Sequence, residues 1–413
     1  MASLTHIVTH VARYGKSHSN LYYFLPVIFF WGMFDTIVSY ISPIVLNSKG
    51  YSIFAIGCFI GTSSIWGAGL DFILSKYFKK KSYLFYFKYL FIICAFVPIL
   101  FYFGEKVIVF LIVMALWGLY YDLYSFGIFE FVGHTIEKGA NVSSFGLISI
   151  IRSLSMTITP IILGFILIDK FNFQTMWLMY ICIIIAGLVL VAHSMHYRPK
   201  VAGESELRTP KRRISLLEEL NLWFKVEKSI YPVLILITFL NIIDAFFWTL
   251  GPLISANLKP IHPLGGLFLT AYIIPSLFIG PLAATISKRF GKKKTAFYSL
   301  MISSFLLLCI FVVKNPALLI TIVFFASLFN SIAWPSIRGA IADYIQETPR
   351  GVSELEGLQD FSTNIGYVIG PMLAGLTATF FNKIGAFGII GVVGIILSII
   401  LIHITPKKIT VRI

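Results

Sequence analysis

Apolar residues in this chain neither alternate nor recur on a single helical stripe. They run in unbroken blocks of about twenty, and the polar residues collect in the gaps between blocks. At a rise of about 1.5 Å per residue, a block of that length crosses a hydrocarbon layer of about 30 Å as a helix. Cutting at clusters of charge and turn residues predicts twelve spans, over 22–46, 53–75, 83–103, 107–133, 143–168, 174–193, 229–255, 265–287, 295–313, 316–343, 354–380 and 385–404. Most gaps are short, such as Gly104 to Lys106 and Asp169 to Phe173, which makes consecutive helices antiparallel neighbours. One gap is long. It divides the chain into a polar N-tail (1–21), a six-helix bundle (22–195), a linker (196–228), a second six-helix bundle (229–404) and a short C-tail (405–413). The fold class is thus all-α and membrane-embedded. Within the linker, Leu216 to Phe224 sets Leu216, Leu217, Leu220 and Phe224 against Glu218 and Glu219, the pattern of a short helix on a membrane surface; a plain solvated linker is the other reading.

Composition sharpens this picture. Of 413 residues, 58% are hydrophobic and 12% charged, with a mean hydropathy of +0.87, where a soluble domain carries roughly 25% charged residues. The net charge of +15 is scattered between apolar blocks rather than gathered on a soluble face, so nucleic acid is not an expected partner. With the N-terminus inside, 24 Lys and Arg fall on the inner side. Only Lys49, Lys106, Lys170, Lys259, Lys314 and Lys383 fall outside, and Lys88, Arg152 and Arg338 lie within spans. Positive charge resists translocation, so both ends are expected in the cytoplasm of a plasma-membrane protein. Cys58, Cys94, Cys182 and Cys309 sit inside apolar blocks without metal-ligand spacing, and the N-terminal stretch lacks the apolar core of a cleavable signal.

The two halves repeat each other. Asp35 is followed eight residues on by Pro43, and Asp244 eight residues on by Pro252, an offset of 209. Ser75-Lys76-Tyr77-Phe78-Lys79-Lys80-Lys81 follows the second span as Ser287-Lys288-Arg289-Phe290-Gly291-Lys292-Lys293-Lys294 follows the eighth, an offset of 212. Gly146-Leu147, Pro160 and Gly164 match Gly357-Leu358, Pro371 and Gly375 at 211. Each half begins on the same side, so the repeats are parallel. The basic run Ser287 to Lys294 resembles the loop between the second and third helices of a major facilitator superfamily half, and Gly366-x-x-x-Gly370-Pro371 resembles that family's Gly-Pro packing pattern. The chain departs from it at Lys76, Lys79 and Lys288, where the family has an acidic residue or glycine, and in the fifth span, where only Thr159-Pro160 and Gly164 remain. The resemblance implies two rocking bundles whose first and fourth helices line a central cavity.

Ionisable groups inside a span are costly and therefore mark function. Asp35 and Asp244 lie about 20 Å and about 21 Å into the first and seventh spans, and the resemblance places them across the cavity from each other as proton- or substrate-binding carboxylates. Asp122 and Arg152 lie at similar depth on adjacent helices and are expected to pair. Tyr40, Tyr121, Tyr124, Trp248 and Trp334 fall on the presumed cavity helices, where rings suit an amphipathic or cationic ligand. Glu130 with Lys79, Lys80 and Lys81, and Arg338 with Asp343 or Asp360, form an expected inner latch; Lys288 and Arg289 belong to the same basic loop, and Asp71 stands in for its missing acid.

Neither a nucleotide-binding Gly-x-x-x-x-Gly-Lys-Ser/Thr loop nor a cluster with hydrolytic or metal spacing occurs, so no enzyme, cofactor or metal is expected. The expected function is proton-coupled secondary transport by a monomer, exporting a lipophilic or cationic small molecule. The alternatives are import of a sugar, nucleoside or peptide and, from a different class, a lipid scramblase or non-transporting receptor.

Overall fold

The computed structural model describes residues 19–77, 81–135, 141–166, 171–196, 230–347 and 352–405, and the possible surface helix Leu216 to Phe224 lies outside them. Among the described residues there are helices and no strands. The first half contains α1 (Ser19–Ser48), α2 (Ile53–Tyr77), α3 (Tyr83–Phe103), α4 (Val107–Thr135), α5 (Asn141–Ile166) and α6 (Phe173–His196). The second contains α7 (Tyr231–Leu258), α8 in two parts (Phe268–Ile273 and Pro275–Phe290), α9 (Lys292–Cys309) and α10 (Pro316–Glu347). It closes with the run Val352–Ile404, divided at Asn382 into α11 and α12.

Three local features account for the breaks. Pro275 lacks the N–H that would continue the helix through Ile274, so α8 is interrupted there. Gly291 turns the chain from α8 into α9 at φ 89°, a conformation closed to most side chains. Asn382 takes φ 60°, and its Oδ1 accepts the N–H groups of Ile384 (3.0 Å) and Gly385 (2.9 Å), capping the helix that follows. Among the described residues nine helical runs are long and apolar enough to span a membrane, and the broken α8 makes a tenth. Leu358–Ile404 (47 residues) is long enough to cross twice, and α2 contributes the shorter apolar stretch Ile53–Gly69. That inventory is consistent with twelve spans.

The described residues fall into two compact units. The first holds α1 up to Val38, α2 from Trp66, and α3 to α6. Its core is aromatic: Phe24 stacks on Phe131 (centroids 4.1 Å), with Phe87, Tyr83 and His193 at 5.1, 5.9 and 5.4 Å from Phe24. A Cβ on Gly127 would come within 2.7 Å of Phe87, so α3 and α4 approach closely only because that residue is glycine.

The second unit holds the ends of α1 and α2 around their connection, Ser39–Ile65, together with α7 to α12. Small residues set its geometry, because association in lipid depends on close packing rather than on burial from water. Gly366 meets Asn241 of α7, and a Cβ on Gly370 would sit 2.6 Å from that of Ala245. Gly57 faces the Pro371 carbonyl, Gly61 would meet the Val368 carbonyl at 2.6 Å, and Gly375 the Ile53 carbonyl at 2.5 Å. The glycine-proline segment of α11 thus packs on α7 and on the start of α2.

Candidate functional site

In the first unit, α1 and α5 cross where Gly32 faces Ser155, a contact too close for any side chain at position 32. One turn from that crossing on each helix lie Asp35 and Arg152. The Arg152 Nη2 donates to Asp35 Oδ2 at 3.2 Å, and the Tyr120 hydroxyl of α4 donates to Oδ1 at 3.0 Å. The two charged side chains are 9% and 21% exposed. The guanidinium carbon stands 4.9 Å from the Tyr121 ring centre, 5.2 Å from Tyr124 and 5.4 Å from Trp31, and Trp31 and Tyr124 stack on each other at 3.7 Å. Arg152 is therefore held by one carboxylate and a cage of three rings, an arrangement that lets a cation leave water without losing its charge.

The second unit builds its central carboxylate differently. Asp244 of α7 accepts the Tyr272 hydroxyl on Oδ1 (2.6 Å) and the Tyr367 hydroxyl on Oδ2 (2.7 Å), with the Trp248 indole also directed at it. Tyr272 is fixed by stacking on Phe247 at 3.8 Å and by its carbonyl, which accepts from Ser327 of α10. Tyr367 reaches Asp244 because it sits between Gly366 and Gly370, where α11 lies against α7. At the repeat offset of 211 the counterpart of Arg152 is Thr363, whose hydroxyl bonds only the Gln359 carbonyl of its own helix. Asp244 consequently has neutral donors and, among the described residues, no cation.

Two pairings expected from sequence are corrected. Arg152 meets Asp35 and not Asp122. Successive helical residues turn by about 100°, so Tyr120 and Tyr124 share the face of α4 turned to Arg152 while Asp122 points away. Its carboxylate lies instead beside α2, 3.5 Å from where a Cβ on Gly67 would stand. Asp343 pairs with Lys292, whose ammonium lies 2.7 and 2.8 Å from the two carboxylate oxygens and 3.2 Å from the Gly339 carbonyl. Arg338 lies over the Trp334 ring at 5.1 Å.

Of the other candidates, Lys79 and Lys80 lie outside the described residues, as does the side chain of Asp71. Lys81 stands over Phe85 at 5.5 Å and Arg289 over Phe290 at 5.4 Å, with Lys288 exposed beside it. Glu130 is half-buried, Asp360 is exposed, and Tyr40 is buried in the second unit. Sequence reasoning missed Trp31, Tyr120, Tyr272 and Tyr367. Tyr272 and Tyr367 sit on the eighth and eleventh spans, outside the helices presumed to line the cavity; the only available signal was Tyr367 following the glycine of the packing motif.

Two repeats of apolar helices thus each hold a carboxylate within a membrane-spanning helix. Residues 233–412 match the Major Facilitator Superfamily. The solved nucleoside transporter NupG is 11% identical with a TM-score of 0.73, over 94% of this chain and 99% of that one. Peptide transporter POT in complex with sulfate is 16% identical with a TM-score of 0.72, over 94% and 95%. That family match covers less than half of the chain, and the two solved structures share its fold over nearly all of it. Among curated proteins, the quinolone resistance protein NorA of Staphylococcus aureus is 26% identical over 164 residues, 38% of this chain and 42% of the relative, so the match spans less than half of that relative's length.

Proposed function

We propose that this chain is a proton-coupled secondary transporter of the plasma membrane, with both ends in the cytoplasm, exporting a lipophilic or cationic small molecule by alternating access. The observation that carries the reading is the unequal treatment of two matched carboxylates. Asp35 already has its counter-charge in Arg152, whereas Asp244 is met, among the described residues, by phenol and indole donors. A carboxylate inside a membrane span without a cation is costly, and a proton or the positive group of a solute supplies what is missing. In the resting arrangement Asp244 is therefore the group open to exchange and Asp35 the one already paired. The likeness to the quinolone resistance protein NorA favours export.

Purified protein in liposomes with an acidic interior tests the reading. Ethidium should accumulate inside against its gradient and leak back when nigericin collapses the pH difference. Uptake that is absent, or that survives nigericin unchanged, refutes it.

A further inference from the structure

We infer that Arg152 is a receptor for the carboxylate of the transported solute, and that Asp35 is the internal ligand which that carboxylate displaces. The inference rests on the transporter reading above and adds to its lipophilic solutes molecules with an acidic group on a flat apolar body. It starts from the bonding of Arg152. A guanidinium carries N–H donors on both arms and on Nε. Here a single N–H reaches a carboxylate, at 3.2 Å, where charge-assisted bonds are usually about 2.7–2.9 Å. The Tyr121 and Tyr124 hydroxyls lie near it as well. Even with both counted, the fork is not filled, and the bidentate grip a guanidinium offers a carboxylate goes unused. The rings of Trp31, Tyr121 and Tyr124 stand around its carbon, and the two tyrosine hydroxyls take only part of its N–H edge. That edge is reachable, since the Arg152 side chain is 21% exposed and Tyr121 beside it 40% exposed.

Charge balance fixes the exchange. The resting pair is neutral, and a second carboxylate can enter without leaving a net negative site only if Asp35 takes up a proton. The incoming anion then occupies the position Asp35 leaves, Arg152 keeps its charge throughout, and Tyr120 holds the protonated Asp35 by the hydrogen bond already present. The titratable or charged groups facing Asp35 are Cys94 of α3, Tyr120 and Tyr124 of α4 and Arg152 of α5, so no second carboxylate competes for that proton among the described residues. The displaced group is a planar monoanion, which sets the chemistry of its replacement: a carboxylate, with flat apolar surface to lie against the three rings.

Equilibrium dialysis of the purified full-length protein with three probes of one shape tests this: 1-naphthoate, 1-naphthamide and 1-naphthylmethylammonium. Naphthoate should bind about tenfold more tightly to Asp35→Asn, which mimics the protonated form, than to wild type. Its binding should be lost in Arg152→Gln and weakened in Arg152→Lys, which keeps the charge but not the fork. The amide and the ammonium should gain nothing from Asp35→Asn. As a measurement on unmodified protein, naphthoate binding to wild type should tighten as pH falls from about 7.5 to about 5.5, a range in which aromatic carboxylic acids stay ionised. Naphthoate binding that is indifferent to Arg152→Gln, or preference for the ammonium probe, overturns the inference. Because binding is read without a gradient, failure of the ethidium experiment with this pattern intact would refute the proton-driven exporter and leave the Arg152 site standing.

Discussion

Removing the charge of Arg152 by Arg152→Gln strands the Asp35 carboxylate, 9% exposed, with neutral donors that include the Tyr120 hydroxyl and the Trp117 indole. Breaking a buried ion pair by deleting one partner costs about 3–5 kcal/mol because the other charge is left uncompensated. The partial exposure of this pair places the loss near the lower end, about 3 kcal/mol. The converse change, Asp35→Asn, leaves a guanidinium that is 21% exposed and still covered by three rings, so a smaller loss of about 2 kcal/mol is expected. The double variant strands nothing and should recover most of either loss. Thermal unfolding of detergent-solubilised protein reads these differences at roughly 2–4 °C per kcal/mol for a domain of about 150–250 residues, giving a drop of about 6–12 °C for Arg152→Gln. Asp122→Asn serves as the control, since its carboxylate lies beside α2 at Gly67. Its effect should add to that of Arg152→Gln without coupling. Additive losses for Asp35 and Arg152, or strong coupling between Asp122 and Arg152, would refute the geometry on which the site rests.

Gly370→Val should lower stability by more than about 2 kcal/mol and weaken transport, because its side chain collides with Ala245 and pulls Tyr367 from Asp244; Gly69→Ala, with nothing within 4 Å, should leave the melting curve unchanged. Lys292→Ala should cost less than about 1 kcal/mol, since the Lys292–Asp343 pair is 40% and 49% exposed, and salt should shrink that cost further in the same melting assay. A membrane-impermeant thiol reagent applied to intact cells should label a cysteine introduced at Lys314 and spare one at Lys211; the reverse pattern contradicts the inside-positive reading of the charge split.

Much of the fold was legible because the bilayer imposes a length and a polarity on every span. The boundaries read from charge and turn residues fall within a few residues of the helix ends, as at 83–103, where prediction and helix coincide. The repeat in Asp, Pro and Gly positions singled out the two carboxylates at the centres of their units. Pairing was harder to read. Depth along a helix follows from counting residues, whereas azimuth does not, and Asp122 has the right depth on the wrong face. Hydroxyl donors were invisible for a related reason: Tyr272 and Tyr367 reach Asp244 only because a helix break and a glycine crossing bring α8 and α11 against α7. Neither event is encoded by the periodicity of the span that contains it. The latch was misread at Arg338 because both carboxylates and an aromatic ring were candidates for it, and the ring lay one turn away on its own helix.

The central claim is that Asp244 exchanges the proton that drives transport. Liposomes containing Asp244→Asn separate coupling from passage: ethidium should still equilibrate and exchange across the membrane at a rate close to wild type, while accumulation driven by an acidic interior disappears. Gradient-driven accumulation by Asp244→Asn equal to that of wild type would contradict the claim.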